Sequence, residues 1–440
     1  METEKMEKME KTQKSLSTSL TFKGFIVIAL TLLLFIPNVM IQELIREREQ
    51  RSKETIEKLN EKWSKSQTLC GPLLNIPFTS TVISGDNTPV VVEHELHLTP
   101  DQLDIKTQLF PEERHYGIYK AILYKSEVSI SGRFLPVNTL TLPENSVFHF
   151  DKATISLGIS DLHGLTSLFD FNLNGKAYAI EAAGYTEFTG KTLVADLNGN
   201  LSEKTTENLS FNCKLHLNGS GSMNFIPVGN TTQVEVAGQW KSPGFIGNFS
   251  PESEIGDQEF KANWSILSFN RSIPSSWVDN KLDKAGDASF GVNLVETVNH
   301  YQQTMRSAKY ALMFIALTFL VFFFVEILAK LRIHPIQYAL VGIALVLFYC
   351  LLLSISEHLG FTVSYLIASM AVVVMITAYS YNIFKNKRQT AAQSLLLCLL
   401  YIFLYVILQL EDVALLIGSI GLFVILGIVM YLSRKIQWYQ

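Results

Sequence analysis

Ser160, Asp161 and His163, in the run Gly158-Ile159-Ser160-Asp161-Leu162-His163-Gly164, supply the three residue types of a serine hydrolase: a hydroxyl nucleophile, a carboxylate and an imidazole base. Their spacing argues against that chemistry. Neighbouring strand positions project to opposite faces, whereas a triad needs side chains that converge on one locus, and no G-x-S-x-G elbow accompanies them. The run reads instead as a turn closed by Asx-type hydrogen bonds. His94 and His97 differ by three, which on a strand places them on opposite faces and prevents chelation of one metal; they read as surface strand histidines. The four cysteines, Cys70, Cys213, Cys350 and Cys398, match neither a disulfide framework nor a zinc-site spacing. Cys70 and Cys213 could pair in an oxidising compartment, which spacing leaves open, while Cys350 and Cys398 lie in apolar runs as small fillers. Phosphate-cradling loops, H-E-x-x-H and C-x-x-C are absent from the sequence. No catalytic residue, metal or cofactor is expected, and the chain reads as a non-enzyme.

A second group of ionisable residues sits in or beside strongly apolar sequence, where a charge costs at least about 2.5 kcal/mol even on lenient insertion scales. Glu326 stands four residues before Lys330, a favourable order for an ion pair on a helix. Glu357 and His358, Glu411 and Asp412, and the cations Arg306 and Lys309 all fall at the same ends of their apolar runs. These six are the candidates for coupling a soluble part to a membrane part.

The elements that must position them follow from the distribution of charge. Of 76 Asp, Glu, Lys and Arg residues in 440, only ten lie between Ala308 and Leu432. A hydrocarbon thickness of about 30 Å asks for roughly 20 apolar residues per helix. The tail supplies five such runs, near 308–329, 337–354, 361–381, 393–410 and 413–432, and a sixth, 22–41, stands near the N-terminus. That first run is too long for a signal-peptide core and lacks a small-x-small cleavage site, so it reads as an uncleaved anchor. One set of loops and tails carries Lys330, Arg332, Lys385, Lys387, Arg388, Arg434 and Lys435 with no acid; the alternate set carries Glu357, Glu411 and Asp412 with no cation. Cations are retained in the cytoplasm, so both termini are expected there and the segment 43–307 outside it. The parts are a tail 1–21, an anchor 22–42, a translocated domain 43–307, a five-helix bundle 308–432 and a tail 433–440. A net charge of −4 without a basic stripe makes nucleic acid a poor partner; the lipid bilayer is the expected one. No mid-membrane acids, paired broken helices or inverted repeat mark a transporter, which makes transport or lipid handling the alternative reading.

Within 43–307 the pattern changes twice. From Glu43 to about Ser66 charged sequence carries Leu44, Ile45, Ile56, Leu59 and Trp63 at helical intervals, a stalk continuing out of the membrane. Beyond Cys70-Gly71-Pro72 the period becomes two, as in Glu127-Val128-Ser129-Ile130-Ser131 and Phe211-Asn212-Cys213-Lys214-Leu215, with Asn-Gly turns at Asn174-Gly175 and Asn198-Gly199. The expectation is a large antiparallel β domain, a sandwich or open barrel, inserted in a multispan α-helical membrane protein with one N-terminal and five C-terminal helices.

With that organisation established, several stretches resemble the CreD family of bacterial inner-membrane proteins. They are Leu69-Cys70-Gly71-Pro72-Leu73-Leu74-Asn75-Ile76-Pro77, Pro111 to Tyr119, Phe225-Ile226-Pro227-Val228-Gly229, and the segment from Gln239-Trp240 to Phe249. The strongest is Val298-Asn299-His300-Tyr301-Gln302-Gln303-Thr304-Met305-Arg306-Ser307-Ala308-Lys309-Tyr310. Arg332 to Tyr338, Ser356-Glu357-His358-Leu359-Gly360 and Gln409-Leu410-Glu411-Asp412 complete the set. His163 departs from the pattern, which leads one to expect a longer basic residue there. The resemblance implies a protein of cell-envelope integrity or envelope-stress response, governed in some bacteria by a two-component system connected to β-lactam response. It implies no catalytic residue and no cofactor. An envelope protein, lipid or glycan is the expected partner of the β domain.

Overall fold

The computed structural model describes residues 20–434 except 84–88, 137–145, 184–187, 203–204, 206, 280–287, 295–299, 329–330, 332 and 411–412. Glu411, Asp412, Lys330 and Arg332, singled out above, therefore lie outside the described residues. The chain divides into two compact units: one takes residues up to Lys53 and from Val298 onward, the other is Glu54–Thr297.

Among the described residues the second unit holds 17 strands. In one sheet the spatial order is β14 (Glu252–Ile255), β15 (Phe260–Leu267), β12 (Thr231–Gly238), β3 (Gln102–Tyr116), β4 (Tyr119–Phe134), β10 (Leu209–Ser220), β7 (Asp170–Leu173) and β8 (Lys176–Ala182). In the other, the long β1 (Gln67–Ile83) is central. It pairs with β2 (Pro89–Leu98), β5 (Ser146–Phe148), β6 (Thr154–Ile159) and, in parallel, β11 (Ser222–Ile226). β16 (Ser276–Val278) extends β2, β9 (Thr192–Asp196) extends β6, and β17 (Phe290–Asn293) joins β11 to β13 (Gly244–Gly247). Apart from β1–β11 and β12–β3 every pairing is antiparallel. β8 pairs with β7 in the first sheet and β9 in the second.

Alternation produces this sandwich. Along β10, Leu209, Phe211, Cys213, Leu215 and Leu217 are buried and the residues between them exposed, and β15 repeats the pattern with Phe260, Ala262, Trp264 and Ile266. A two-residue period buries one face of each sheet, and the inner faces share one apolar core. The turns expected at Asn174-Gly175 and Asn198-Gly199 have positive φ at both residues, the requirement of the tight hairpin turns that Asn-Gly favours. Within the first sheet, Gly132 of β4 sits between β3 and β10 with little room for a side chain. A Cβ on Gly132 would lie 2.0 Å from the Gln102 carbonyl oxygen and 2.7 Å from the Phe211 ring. Gly132→Ala is therefore expected to destabilise this unit by about 3 kcal/mol. Urea unfolding of the detergent-solubilised full chain, read by tryptophan fluorescence, checks it, because Trp63, Trp240, Trp264 and Trp277 all lie in this unit.

The first unit is helical: α1 (Leu20–Leu33), α2 (Phe35–Trp63, whose residues from Glu54 belong to the second unit), α3 (His300–Lys309), α4 (Ala311–Leu328), α5 (Pro335–Leu359), α6 (Phe361–Phe384), α7 (Lys387–Gln409) and α8 (Ala414–Ser433). Each apolar run of the sequence has become a helix. Among the described residues four helical stretches are long and apolar enough to cross a membrane, namely Phe22–Trp63 (α1 with α2), α5, α6 and α7, and five if α3 and α4, bent by 47° at Tyr310, form one span. α8 is fully described only over Leu416–Tyr431, shorter than a span requires. α2 runs without interruption from apolar into charged sequence, and its Ile41 and Ile45 belong to the core of the helical unit. Local chemistry sets the helix ends. His334 caps α5 ahead of Pro335, with Gln337 closing a reciprocal capping box. Asn386 accepts from the Arg388 N–H at 3.0 Å to start α7. Gly360, at φ +73°, is the single residue between α5 and α6. The interior is aromatic: Phe348 lies 5.4 Å from Tyr365 and 5.0 Å from Tyr401, and Phe314 lies 4.6 Å from Tyr401, centroid to centroid. The outer faces of α6, α7 and α8 expose Leu366, Val374, Ile402 and Phe423, an apolar surface suited to lipid.

Candidate functional site

The chain leaves the helical unit along α2 and returns along α3, and both helices reach one carboxylate. Glu357 sits in the last turn of α5 with its side chain only 9% exposed. Tyr301, buried on α3, donates its phenol to Glu357 Oε1 at 3.1 Å. Arg48 of α2 places Nη1 3.9 Å from Glu357 Oε2, a charge pair rather than a close hydrogen bond. The His300 ring packs on Tyr301, with centroids 4.1 Å apart. Helical periodicity explains the convergence on α3: Tyr301, Thr304, Ser307 and Ala308 form its buried face. Arg306 falls beside that face and is half-buried, while Lys309 and His358 are exposed. Of the six residues chosen from sequence, Glu411 and Asp412 lie outside the described residues and Glu357 is placed between α2 and α3. The cation facing it is Arg48 of α2, which was not among those six.

A second carboxylate was read as an interfacial partner of Lys330. Glu326 is instead 4% exposed near the end of α4 and is held from three directions. Lys23 of α1 reaches Oε1 at 2.5 Å, the Ile333 N–H donates to the same oxygen at 3.0 Å, and the Tyr338 phenol donates to Oε2 at 2.9 Å. The sequence signal was present in the cost of a buried acid, which demands partners; their identity depended on how the helices pack.

In the β unit the Ser160-Asp161-His163 run is a turn of the Asx type. Asp161 Oδ1 accepts from the His163 N–H at 3.1 Å and lies 3.0 Å from its Nδ1. Its Oδ2 accepts from the Lys65 N–H at 3.0 Å and the Ser64 hydroxyl at 3.2 Å. Ser160 is turned elsewhere, its Oγ accepting from the Thr68 N–H at 2.9 Å. Burial alone would push the Asp161 carboxyl up, but the Lys65 and His163 donors and Ser64 outweigh it and hold the group at about 2. Since an unfolded Asp titrates near about 4, this contribution to stability is complete above that pH and is lost as pH falls toward about 2. Asp161→Asn is expected to lower stability at neutral pH by about 1–2 kcal/mol and to flatten the acid limb of the stability profile, measured by urea midpoints from pH 2 to 7.

The strand histidines do point to opposite faces, but neither is simply a solvated surface group. His97 Nδ1 lies 2.9 Å from Asn75 Oδ1, its ring stacks on Trp277 at 5.2 Å, and burial holds its pKa below the usual value. His94 is bound on both ring nitrogens, to Asp279 and to Ser80. The reason for the correction is that β16 packs beside β2 and brings residues 277–279 over both histidines. Cys70 and Cys213 are free, buried thiols; burial raises both, Cys213 to about 12. Among the described residues no three His, Cys, Asp or Glu side chains gather as a metal site.

Residues 19–439 match the family profile described as inner membrane protein CreD. The chain is also similar to the inner membrane protein CreD of Escherichia coli (strain K12), at 32% identity over 429 residues, covering 96% of this chain and 95% of that one. Among solved structures, leukotriene A4 hydrolase from Saccharomyces cerevisiae aligns with 46% of this chain and 30% of its own at 10% identity and a TM-score of 0.20. A second structure of the yeast enzyme covers 50% and 34% at 8% identity and 0.19. Scores of that size do not describe a common fold. Agreement over nearly the full length, through both the helices and the inserted sheets, is the basis for the conclusion that the chain belongs to the CreD family of inner membrane proteins.

Proposed function

We propose that this multispan inner-membrane protein supports cell-envelope integrity or an envelope-stress response by coupling a periplasmic β domain to its membrane helices. In this reading both termini are cytoplasmic, residues 43–307 face the periplasm, and the β domain binds an envelope protein, lipid or glycan. The observation that carries it is the double hold on Glu357: the helix leading out to the β unit and the helix leading back both end on one carboxylate of α5. A displacement transmitted along either helix must break or re-form the Arg48 or Tyr301 contact, so the state of the insert is registered in the bundle. The one-sided cation distribution supports the orientation, and membership of the family supports the envelope role.

Two experiments test the reading. Membrane-impermeant thiol labelling of a cysteine introduced at Asn230 in intact spheroplasts is expected to succeed, and protection there until the membrane is permeabilised would remove the periplasmic assignment. Photocrosslinkers on exposed β-domain positions such as Lys214 or Gln233 are expected to trap an envelope component in living cells; capture of cytosolic proteins alone would contradict the proposal. A second reading, lipid handling, is favoured by one feature. An apolar lateral groove of about 430 Å³ runs between α1 and α4, lined by Val27, Ile28, Leu32, Leu312 and Phe323. Transfer of a labelled phospholipid between vesicles by the reconstituted protein would select it.

A further inference from the structure

The β unit assembles a nucleophile, base and acid that no local motif announces. On β1, Ser80 Oγ lies 3.1 Å from His94 Nε2 on β2, and His94 Nδ1 lies 2.8 Å from Asp279 Oδ2 immediately after β16. This is the connectivity of a Ser-His-Asp triad: the carboxylate fixes the tautomer and orientation of the ring, and the opposite nitrogen faces the hydroxyl it would deprotonate. β1 and β2 supply Ser80 and His94, so their spacing is set by hydrogen-bonded register, and Asp279 follows directly on β16, which pairs with β2. His94 stands opposite Phe78, and Ser80 is the next residue on that face of β1.

Three further observations support a built site. The His94 ring is stacked on Phe78, 5.1 Å between centroids, which restricts its rotation. Asp279 has a backbone φ of +54°, a conformation few non-glycine residues adopt, and its second oxygen accepts from the Glu95 N–H at 3.0 Å. Such locally unfavourable backbone is found where surrounding structure holds a residue in place. On the other edge of β1, Ser146 stands directly opposite Ser80, and its Oγ is shielded from solvent without a hydrogen-bond partner among the described residues. An uncommitted donor beside the nucleophile is what an oxyanion requires. His94 and Asp279 remain 24% and 36% exposed at their side chains, so solvent and substrate can reach them.

We infer that Ser80, His94 and Asp279 form a hydrolytic site for carboxylic esters with an apolar acyl group, Ser146 donating to the oxyanion. Phe78, Phe148 and Val92 flank Ser80 on the same face and supply the apolar contact for the acyl chain. Ser80 Oγ adds to the ester carbonyl carbon as its proton passes to His94 Nε2. Collapse of the tetrahedral intermediate breaks the bond to the leaving alkoxide, which takes that proton and departs as the alcohol, leaving Ser80 acylated. Water, deprotonated by His94, then adds to the acyl carbon; Ser80 Oγ recovers the proton as it is expelled, and the carboxylic acid is released. Asp279 is a positioning residue throughout.

The test is covalent labelling of the full chain in detergent or nanodiscs with an alkyl fluorophosphonate, followed by peptide mapping, together with release of p-nitrophenol from p-nitrophenyl butyrate. Modification at Ser80 is expected, lost in Ser80→Ala and slowed by roughly 100-fold or more in His94→Gln, the scale of general-base assistance. Asp279→Asn should slow labelling while its thermal unfolding midpoint stays close to those of the natural chain and of Ser80→Ala. Absence of Ser80 labelling in the natural chain overturns the inference. So does labelling of equal rate in His94→Gln, which would mark Ser80 as an exposed hydroxyl without an activating base. Neither result bears on the coupling at Glu357.

Discussion

Glu326→Leu is expected to be the most damaging single substitution in the helical unit, lowering its stability by about 3–5 kcal/mol. The magnitude comes from what the carboxylate leaves behind. Tyr338 and the Ile333 N–H lose their acceptor within the protein interior, each loss costing about 1–3 kcal/mol. Lys23 contributes less than its short contact suggests, because its side chain is 27% exposed and can turn outward once released. The double substitution Lys23→Met with Glu326→Leu should therefore cost less than the two single changes summed, since it removes both charges together. Unfolding of the purified protein in titrated denaturing detergent, followed as a double-mutant cycle, measures the difference. Strict additivity would show that the pair does not tie α1 to α4 and α5.

The second large effect is expected at Glu357. Glu357→Ala removes the acceptor of the Tyr301 phenol, a hydrogen bond to a charged group and so worth about 1.5–3 kcal/mol. It also removes the attraction of Arg48, worth at most about 1 kcal/mol because that guanidinium is substantially exposed. Tyr301→Phe should reproduce most of the loss and Arg48→Ala little of it. Hydrogen exchange of α3 amides in the full chain distinguishes the two. Faster exchange after Tyr301→Phe with near-natural exchange after Arg48→Ala is the predicted outcome, and the reverse ranking would reassign the principal contact to the ion pair.

The elements were readable from sequence, whereas most of their partnerships were not. Periodicity and charge depletion located the helices of the membrane unit and the alternating strands because burial acts locally: an apolar face must recur at 3.6 or at two residues wherever it is covered. The Asx turn at Asp161 was legible for the same reason, its donor and acceptor lying two residues apart. Lys23 and Glu326 are 303 residues apart and His94 and Asp279 are 185 apart, so no local pattern links them. Which strand lies beside β2, or which helix beside α4, is decided by packing of whole elements. The same limit explains the coupling residues. Glu357 could be found as a carboxylate at the edge of an apolar run, but selecting Arg48 over Arg306 and Lys309 required knowing which face of α3 is buried. The short bent helix α3 was itself hidden, since its sequence, His300–Lys309, is too polar for a span and too short to display a full amphipathic repeat.

Charge exchange across the Arg48–Glu357 contact, read in living cells, tests the coupling most directly. Arg48→Glu and Glu357→Arg alone are each expected to sensitise the envelope to detergent and cell-wall stress, because each sets like charges against one another. The combined exchange restores opposite charges but leaves the Tyr301 phenol without its acceptor, so it is predicted to recover the resistance lost in Arg48→Glu in part, at unchanged protein level. A double variant as impaired as the single ones, or single variants indistinguishable from the natural chain, would contradict a role for this contact in transmitting the state of the β domain.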